Sequence, residues 1–339
     1  MKQQKQAFRI GSLSILLAML LRYICSVGLG DRFDLFAAPE LASFLISQET
    51  GREVAKQPAP STTAPAKPEV QQPEPEPVKP PLTLPAQKPT FTSEDMQYLT
   101  MQIDCRKDPD VEALLCQPLS WDLTGSEPTI LIIHTHGTEA YTPTADTKYQ
   151  EYGGEYRTAD DRYNVISIGD ELTRLLQEAG LTVIHDRTAC DLEDYVDSYD
   201  LSRDAVQAHL QEHPTIQMVI DLHRDAAEYS SGAQWAASGT VDGQSAAQIM
   251  MVVGTDAMGL SHPDWQSNLS IGEKMTVLME RNHPGMSRNV NLRAARFNQD
   301  LAVGALIAEV GAAGNTHAEA LRGVRVLAEA IIELSTGSQ

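Results

Sequence analysis

Two short apolar runs, residues 130–133 and 216–222, lead straight into metal-binding side chains: His134-Thr135-His136-Gly137-Thr138-Glu139 after the first and His223-Arg224-Asp225 after the second. Apolar runs this short, bounded by turn and charged residues, read as buried strands. Between and beyond them the pattern changes to helical spacing. Residues 163–179 carry Val165, Ile168, Leu172, Leu175 and Leu176 on one face and stop at Gly180, and residues 199–213 carry Leu201, Ala205, Ala208 and Leu210 before Pro214. Further strands are expected at 181–184, 249–253 and 305–310, and further helices at 265–281 and 318–334. Strand and helix in alternation predict an α/β fold, a mostly parallel sheet flanked by helices on both faces. Open sheets of this kind gather ligands at the carboxyl ends of their strands, so His136 and His223 can meet although far apart in sequence.

The first third of the chain has a different character. Residues 10–29 are apolar apart from Arg22 and several small or polar residues; Lys2, Lys5 and Arg9 precede them, and Asp31 and Asp34 come after. A stretch of about 20 residues is enough to span a bilayer, and the basic flank places its start in the cytoplasm. The expectation is a short tail at 1–9 and a transmembrane anchor at 10–29; a cleavable signal peptide ending near Ser26-Val27-Gly28 is the alternative. Either reading exports the remainder of the chain. Residues 30–92 then form an extracytoplasmic linker whose stretch 56–90 is rich in Pro, Ala, Glu, Gln and Lys, too poor in apolar side chains to fold alone. Extended at about 3.1 Å per residue, that stretch reaches on the order of 100 Å. Residues 93–127 are expected to lead into a catalytic domain at 128–337.

A formal net charge of −20 argues against nucleic-acid binding, which wants a basic face. The four cysteines contain no CxxC pair, which argues against a cysteine-based zinc site. Cys105 and Cys116 either pair in the oxidising exterior or remain thiols.

His136-Gly137-Thr138-Glu139 has the HxxE spacing with which one loop offers an imidazole and a carboxylate to a single ion, and His223 supplies a third donor from another strand. Two histidines and one carboxylate leave the fourth tetrahedral position of Zn2+ open, the arrangement of a catalytic site. His134 is a further candidate ligand. Hydrolysis at such a site needs a base, and Glu309, at the end of the apolar run 301–307 and beside Val310-Gly311, is the candidate. Arg224 is a candidate for steadying a developing oxyanion, Asp225 for orienting His223, and Arg296, Asn298 and Gln299 form a polar cluster suited to substrate binding.

These segments resemble the stage II sporulation protein P family of endospore-forming bacteria. The resemblance rests on residues 131–141, on Tyr156-Arg157-Thr158-Ala159-Asp160 with Tyr163-Asn164-Val165, and on Ser198-Tyr199 with Ser202-Arg203. It continues through Val219-Ile220-Asp221-Leu222-His223-Arg224-Asp225, Pro284-Gly285, residues 296–301, Glu309-Val310-Gly311 and Asn315-Thr316, all in family order. The resemblance implies a membrane-anchored cell-wall hydrolase related to the zinc-dependent N-acetylmuramoyl-L-alanine amidases, remodelling septal peptidoglycan during engulfment and able also to cut peptide cross-links. On the pattern of those amidases, His136 matches the first zinc ligand, His223 the last and Glu309 the base. The middle ligand is either Glu139, favoured by the loop, or Asp160, which occupies the amidases' position. His134 is then a ligand in place of His136 or a donor behind it. The implied partners are stage II sporulation proteins D and M. Two other readings stay open: a metallo-endopeptidase or carboxypeptidase using the same donors, and a wall-binding tether without activity.

Overall fold

The computed structural model describes residues 81–154, 156–226 and 233–339. The anchor expected at 10–29 and the linker as far as residue 80 lie outside the described residues; among those described, no helix is long and apolar enough to cross a membrane. In chain order the elements are β1 (Met101–Asp104), α1 (Val111–Cys116), β2 (Ile130–His134), α2 (Val165–Glu178), β3 (Val183–Ala189), α3 (Ser198–Glu212), β4 (Met218–Asp225), β5 (Ser238–Val241), β6 (Gln244–Ala247), β7 (Ile249–Val253), α4 (Trp265–Asn282), β8 (Val290–Arg293), β9 (Ala305–Ala312) and α5 (His317–Leu334).

Seven strands form one sheet in the order β1-β8-β7-β9-β4-β2-β3. Every neighbouring pair is parallel except β7 and β9, so the sheet is mostly parallel with one reversal of direction. A β5–β6 hairpin precedes β7, and its Asp242-Gly243 turn has both residues at positive φ, 52° and 76°. That is the backbone of the tight turns Asp-Gly favours. The hairpin leads directly into β7, which lies antiparallel to β9.

Alternation along the central strands sorts side chains between two layers. Ile130 and Ile132 of β2, and Met218, Ile220 and Leu222 of β4, enter a core shared with Leu172 of α2, Leu278 of α4 and Leu327 of α5. Leu131, Ile133 and Val219 face the other way, onto Val206 of α3. Each branched aliphatic side chain removed from water in this way contributes roughly 1.5–3 kcal/mol. The α3 face of the sheet is the one that matters for chemistry, because Asp221, His223 and Asp225 alternate onto it from β4.

The stretch 93–127 is part of this fold rather than a lead-in to it. β1 pairs with β8 at the sheet edge, Leu115 and Leu123 are fully buried, and the Trp121 indole donates to the Leu334 carbonyl at 2.7 Å. Cys105 and Cys116 are both free thiols, so the possible disulfide is not formed.

Candidate metal centre

After β2 the chain makes a long excursion, residues 135–164, before entering α2, where the Asn164 side chain caps the helix by accepting from the Ile166 amide. Gly137 lets this excursion press against the end of β3: a Cβ there would lie 2.6 Å from the Ala189 Cα, too close for any side chain. Backbone bridges from Glu139 to Arg157 and from Ala140 to Asn164 then fold the loop back over the end of β4.

His136, Glu139 and His223 meet there, and all three are buried. His223 Nδ1 stands 3.4 Å from Glu139 Oε2, and the rings of His136 and His223 meet edge to face with centroids 5.3 Å apart. Two donors that each bind a tetrahedral zinc at about 2.0–2.1 Å are about 3.4 Å apart, so the His223–Glu139 spacing suits a shared ion. On its other edge, His223 Nε2 lies 2.9 Å from Asp221 Oδ1, an ionic contact out of line for a hydrogen bond. Asp221 is itself fixed by the Thr135 amide at 2.9 Å and hydroxyl at 2.6 Å. A carboxylate behind a ligand histidine sets which ring nitrogen faces the metal.

Burial alone drives a histidine toward its neutral form, yet the Asp221 and Glu139 carboxylates outweigh it and hold His223 well above the usual imidazole range. Burial likewise opposes the ionised form of Glu139, but Arg224, His223 and His136 pull it far below the usual carboxylate range. Two buried carboxylates thus favour positive charge at this position, which a bound divalent cation would supply while leaving His223 neutral to ligate. His136 is the reverse case: burial, with a smaller push from His223, holds it low, and its buried Nδ1 makes no hydrogen bond. Among the described residues no three His, Cys, Asp or Glu side chains stand in ready-made ligand geometry. The donor set nevertheless fits a divalent cation: neutral His136 with a free ring nitrogen, ionised Glu139, and His223 with Asp221 behind it.

Glu309 is directly opposite His223 in the β4–β9 register. Ile307, two residues earlier, belongs to a cluster with Met250, Val252 and Phe297 on the α3 face, so alternation carries Glu309 onto that face as well. Glu309, the residue expected as the base, thus stands beside His223, the residue expected as the last ligand.

The other expected residues are placed differently. His134 is turned away, fully buried, with Nδ1 3.2 Å from the Leu222 carbonyl and Nε2 2.8 Å from His185 Nε2. Burial and the facing His185 push it down to about 3, and the structure does not bring it to the cluster. Asp160 forms a 2.6 Å surface pair with Arg162, leaving Glu139 as the carboxylate at the centre. Arg224 does not project toward substrate: its Nε donates to the Ala140 carbonyl and its Nη2 to the Tyr156 carbonyl, both at 2.9 Å, while its backbone amide donates to Glu139 Oε2 at 3.1 Å. It clamps the loop that carries Glu139. Asp225 pairs with Arg288 at 2.9 Å. Gln299 is buried and bridges the Gly254 amide and the Val252 carbonyl; Asn298 donates to the Tyr199 carbonyl at 2.7 Å; Arg296 pairs with Asp300 at 3.1 Å. These three read as substrate-binding from composition, but their polar groups are engaged inside the fold.

Sequence reasoning missed several contributors. Asp191 accepts from the Thr138 amide and hydroxyl and from Arg157 at 2.5 Å, and comes within 3.9 Å of His136 Nδ1. Tyr195 stacks on the His136 ring at 4.6 Å, and Tyr199 meets the same ring edge-on at 5.6 Å. Asp221 had a usable signal: it lies two residues before His223 on a strand, hence on the same face. Asp191 and Tyr195 come from a loop with no periodic pattern.

An open, mostly parallel α/β sheet thus carries a His–Glu–His cluster with a neighbouring glutamate at its strand ends. Comparison gives the family: residues 36–332 match the family model of stage II sporulation protein P, and the chain belongs to that family. The stage II sporulation protein P of Bacillus subtilis (strain 168) is 28% identical over 222 residues, 62% of this chain and 52% of the relative, so the chain spans about half the length of the curated relative it matches. Among solved structures, the N-acetylmuramoyl-L-alanine amidase AmiC2 of Nostoc punctiforme is similar at 13% identity, covering 61% of this chain and 97% of that one, with a TM-score of 0.35. An N-acetylmuramoyl-L-alanine amidase from Clostridium difficile 630 is similar at 16% identity, covering 61% and 94%, with a TM-score of 0.34.

Proposed function

We propose that this chain is a membrane-anchored, zinc-dependent peptidoglycan hydrolase of sporulation, cleaving the amide between N-acetylmuramic acid and the first L-alanine of the stem peptide. What carries the reading is the convergence of His136, Glu139 and His223 at the ends of β2 and its following loop and of β4, with Glu309 in register beside His223. His136, Glu139 and His223 would hold the zinc. When bound, zinc polarises a carbonyl and makes water a stronger acid. Asp221 keeps His223 Nδ1 turned to Glu139, while Arg224 and Arg157 hold the Glu139 carboxylate in place, at 3.7 and 3.6 Å. Glu309 takes the proton from the attacking water and delivers it to the amine nitrogen as the carbon–nitrogen bond breaks. In the same proposal residues 10–29 hold the chain in the cell membrane, residues 30–92 let the domain reach the wall, and stage II sporulation proteins D and M are its partners.

The test is digestion of purified sacculi by the full-length chain, with products identified by mass. Stem peptides with newly freed L-alanine amino termini are expected. Cleavage confined to the cross-links would replace the amidase with an endopeptidase, and wall binding without any cleavage would leave a tether.

A further inference from the structure

Tyr199 is the second residue of α3, and Phe297 and Asn298 of the loop before β9 pack and bond against it. Asn298 donates its amide hydrogens to the Tyr199 carbonyl at 2.7 Å and to Ser202 Oγ at 3.1 Å. Arg203, one turn further along α3, grips Asp300 with two bonds of 2.9 and 2.8 Å. Phe297 lays its ring 5.9 Å from that of Tyr199. To do this, Phe297 and Asn298 both adopt left-handed backbone, at φ 51° and 58°. Such residues cost on the order of 1–3 kcal/mol each and persist only where the surroundings impose them. Here the surroundings are the contacts that fix Tyr199.

The ring so fixed lies edge-on to His136 at 5.6 Å. α3 packs on the sheet face that carries Asp221 and His223, with Glu309 in register beside His223, so the ring stands at the same pocket. It is only partly buried, and its hydroxyl makes no hydrogen bond to any described residue. A phenol ionises near 10 and is therefore a donor throughout the neutral range. Arg224, the residue expected to steady an oxyanion, is committed to the loop backbone, which leaves that task to another donor beside the pocket.

We propose that Tyr199 is a catalytic residue whose phenol hydroxyl donates a hydrogen bond to the carbonyl oxygen of the scissile amide as negative charge develops there, with Asn298 and Phe297 as its positioning residues. The inference rests on the reading of this site as an amide hydrolase. No bond forms or breaks at Tyr199; its proton stays on the phenol and is shared with the oxyanion. Removing one such donor lowers kcat by about 100- to 1,000-fold in comparable sites.

The test compares full-length parent, Tyr199→Phe, Asn298→Ala and the double variant on a soluble muropeptide, with zinc content and melting temperature measured on each. A phosphinate analogue of the scissile amide, tetrahedral and anionic, is titrated by calorimetry as a second readout. Tyr199→Phe keeps the ring contacts with His136 and Phe297, so zinc content, melting temperature and KM should stay near the parent's. Its kcat should fall at least 100-fold and its phosphinate affinity by a similar factor, since a transition-state analogue reports interactions made only there. Asn298→Ala should lower kcat less, and should add nothing once the hydroxyl is gone. A Tyr199→Phe variant within threefold of the parent in kcat overturns the proposal, as does a loss matched by lost zinc or a lowered melting temperature. A parent that binds zinc and phosphinate yet cleaves no amide overturns the functional reading and this proposal with it.

Discussion

Glu273 of α4 is fully buried, and neither of its carboxyl oxygens has a hydrogen-bond partner. Burial raises it from 4.5 to about 8, with Lys274 pulling weakly the other way. The folded protein thus keeps a proton that the unfolded chain releases above pH 4.5, and stability is lost as pH rises from there through 8. At about 1.4 kcal/mol per decade of proton affinity, the loss is roughly 5 kcal/mol as an upper bound. Lys274 is lowered by burial to about 8 although its ammonium donates to the Leu114 carbonyl at 2.8 Å and to Ser270 at 2.7 Å. Its sign is opposite in direction along the axis: the stability it adds is complete above pH 10.5 and is lost as pH falls through 8. Together the two groups place a stability minimum near pH 8. Glu273→Met keeps the volume and removes the titration. Urea unfolding of parent and variant at pH 5 and pH 8 reports chiefly on this carboxyl, because groups away from it cancel in the difference and burial outweighs its coupling to Lys274. The variant's advantage should grow by about 3–4 kcal/mol between the two pH values. An advantage equal at both, or one that shrinks with pH, refutes the reasoning.

Three further outcomes are expected from the site and its supports. Asp221→Asn should weaken zinc binding by about 10- to 100-fold, measured by competition with a chromophoric chelator, because His223 loses the carboxylate that sets its tautomer. Gly169→Ala should destabilise the fold by about 1–3 kcal/mol in the same urea assay: the new methyl would meet His185 Nε2 at 2.6 Å and His134 Nε2 at 2.8 Å, where Gly169 of α2 now leaves room for the two rings. Asp160→Ala, at the surface, should leave zinc content and wall digestion unchanged; loss of bound zinc would restore Asp160 as the middle ligand.

The parts of the fold legible in the sequence are those where one physical signal dominates. β2, β4, β7 and β9 are buried apolar runs, and α2 to α5 repeat apolar residues at helical spacing, so their identity and order could be read directly, whereas the six-residue α1 is too short to show a period. β3 was expected at 181–184 but runs Val183–Ala189, because an edge strand tolerates the polar His185-Asp186-Arg187-Thr188 that masked its length. β1 and β8, four residues each and partly polar, carry too little pattern to register. The direction of β7, antiparallel to β9, has no signal in its own apolar residues. At the site, spacing pointed to His136, Glu139 and His223 because a loop and two strand ends fix their separation locally. It could not separate His134 from His136, since which ring enters the pocket depends on His185 waiting on the neighbouring strand. Nor could it show that Asn298 and Gln299 serve backbone groups: a polar residue in a loop looks the same in sequence whether it faces substrate or its own fold.

The most direct test of the account is paired zinc content and turnover of the full-length chain against His223→Ala and Glu309→Gln. The account predicts one zinc per parent chain and chelator-sensitive release of stem peptides with free L-alanine termini. It further predicts loss of both zinc and turnover in His223→Ala, and loss of turnover with zinc retained in Glu309→Gln. Digestion that survives chelation, or a Glu309→Gln variant as active as the parent, would contradict it.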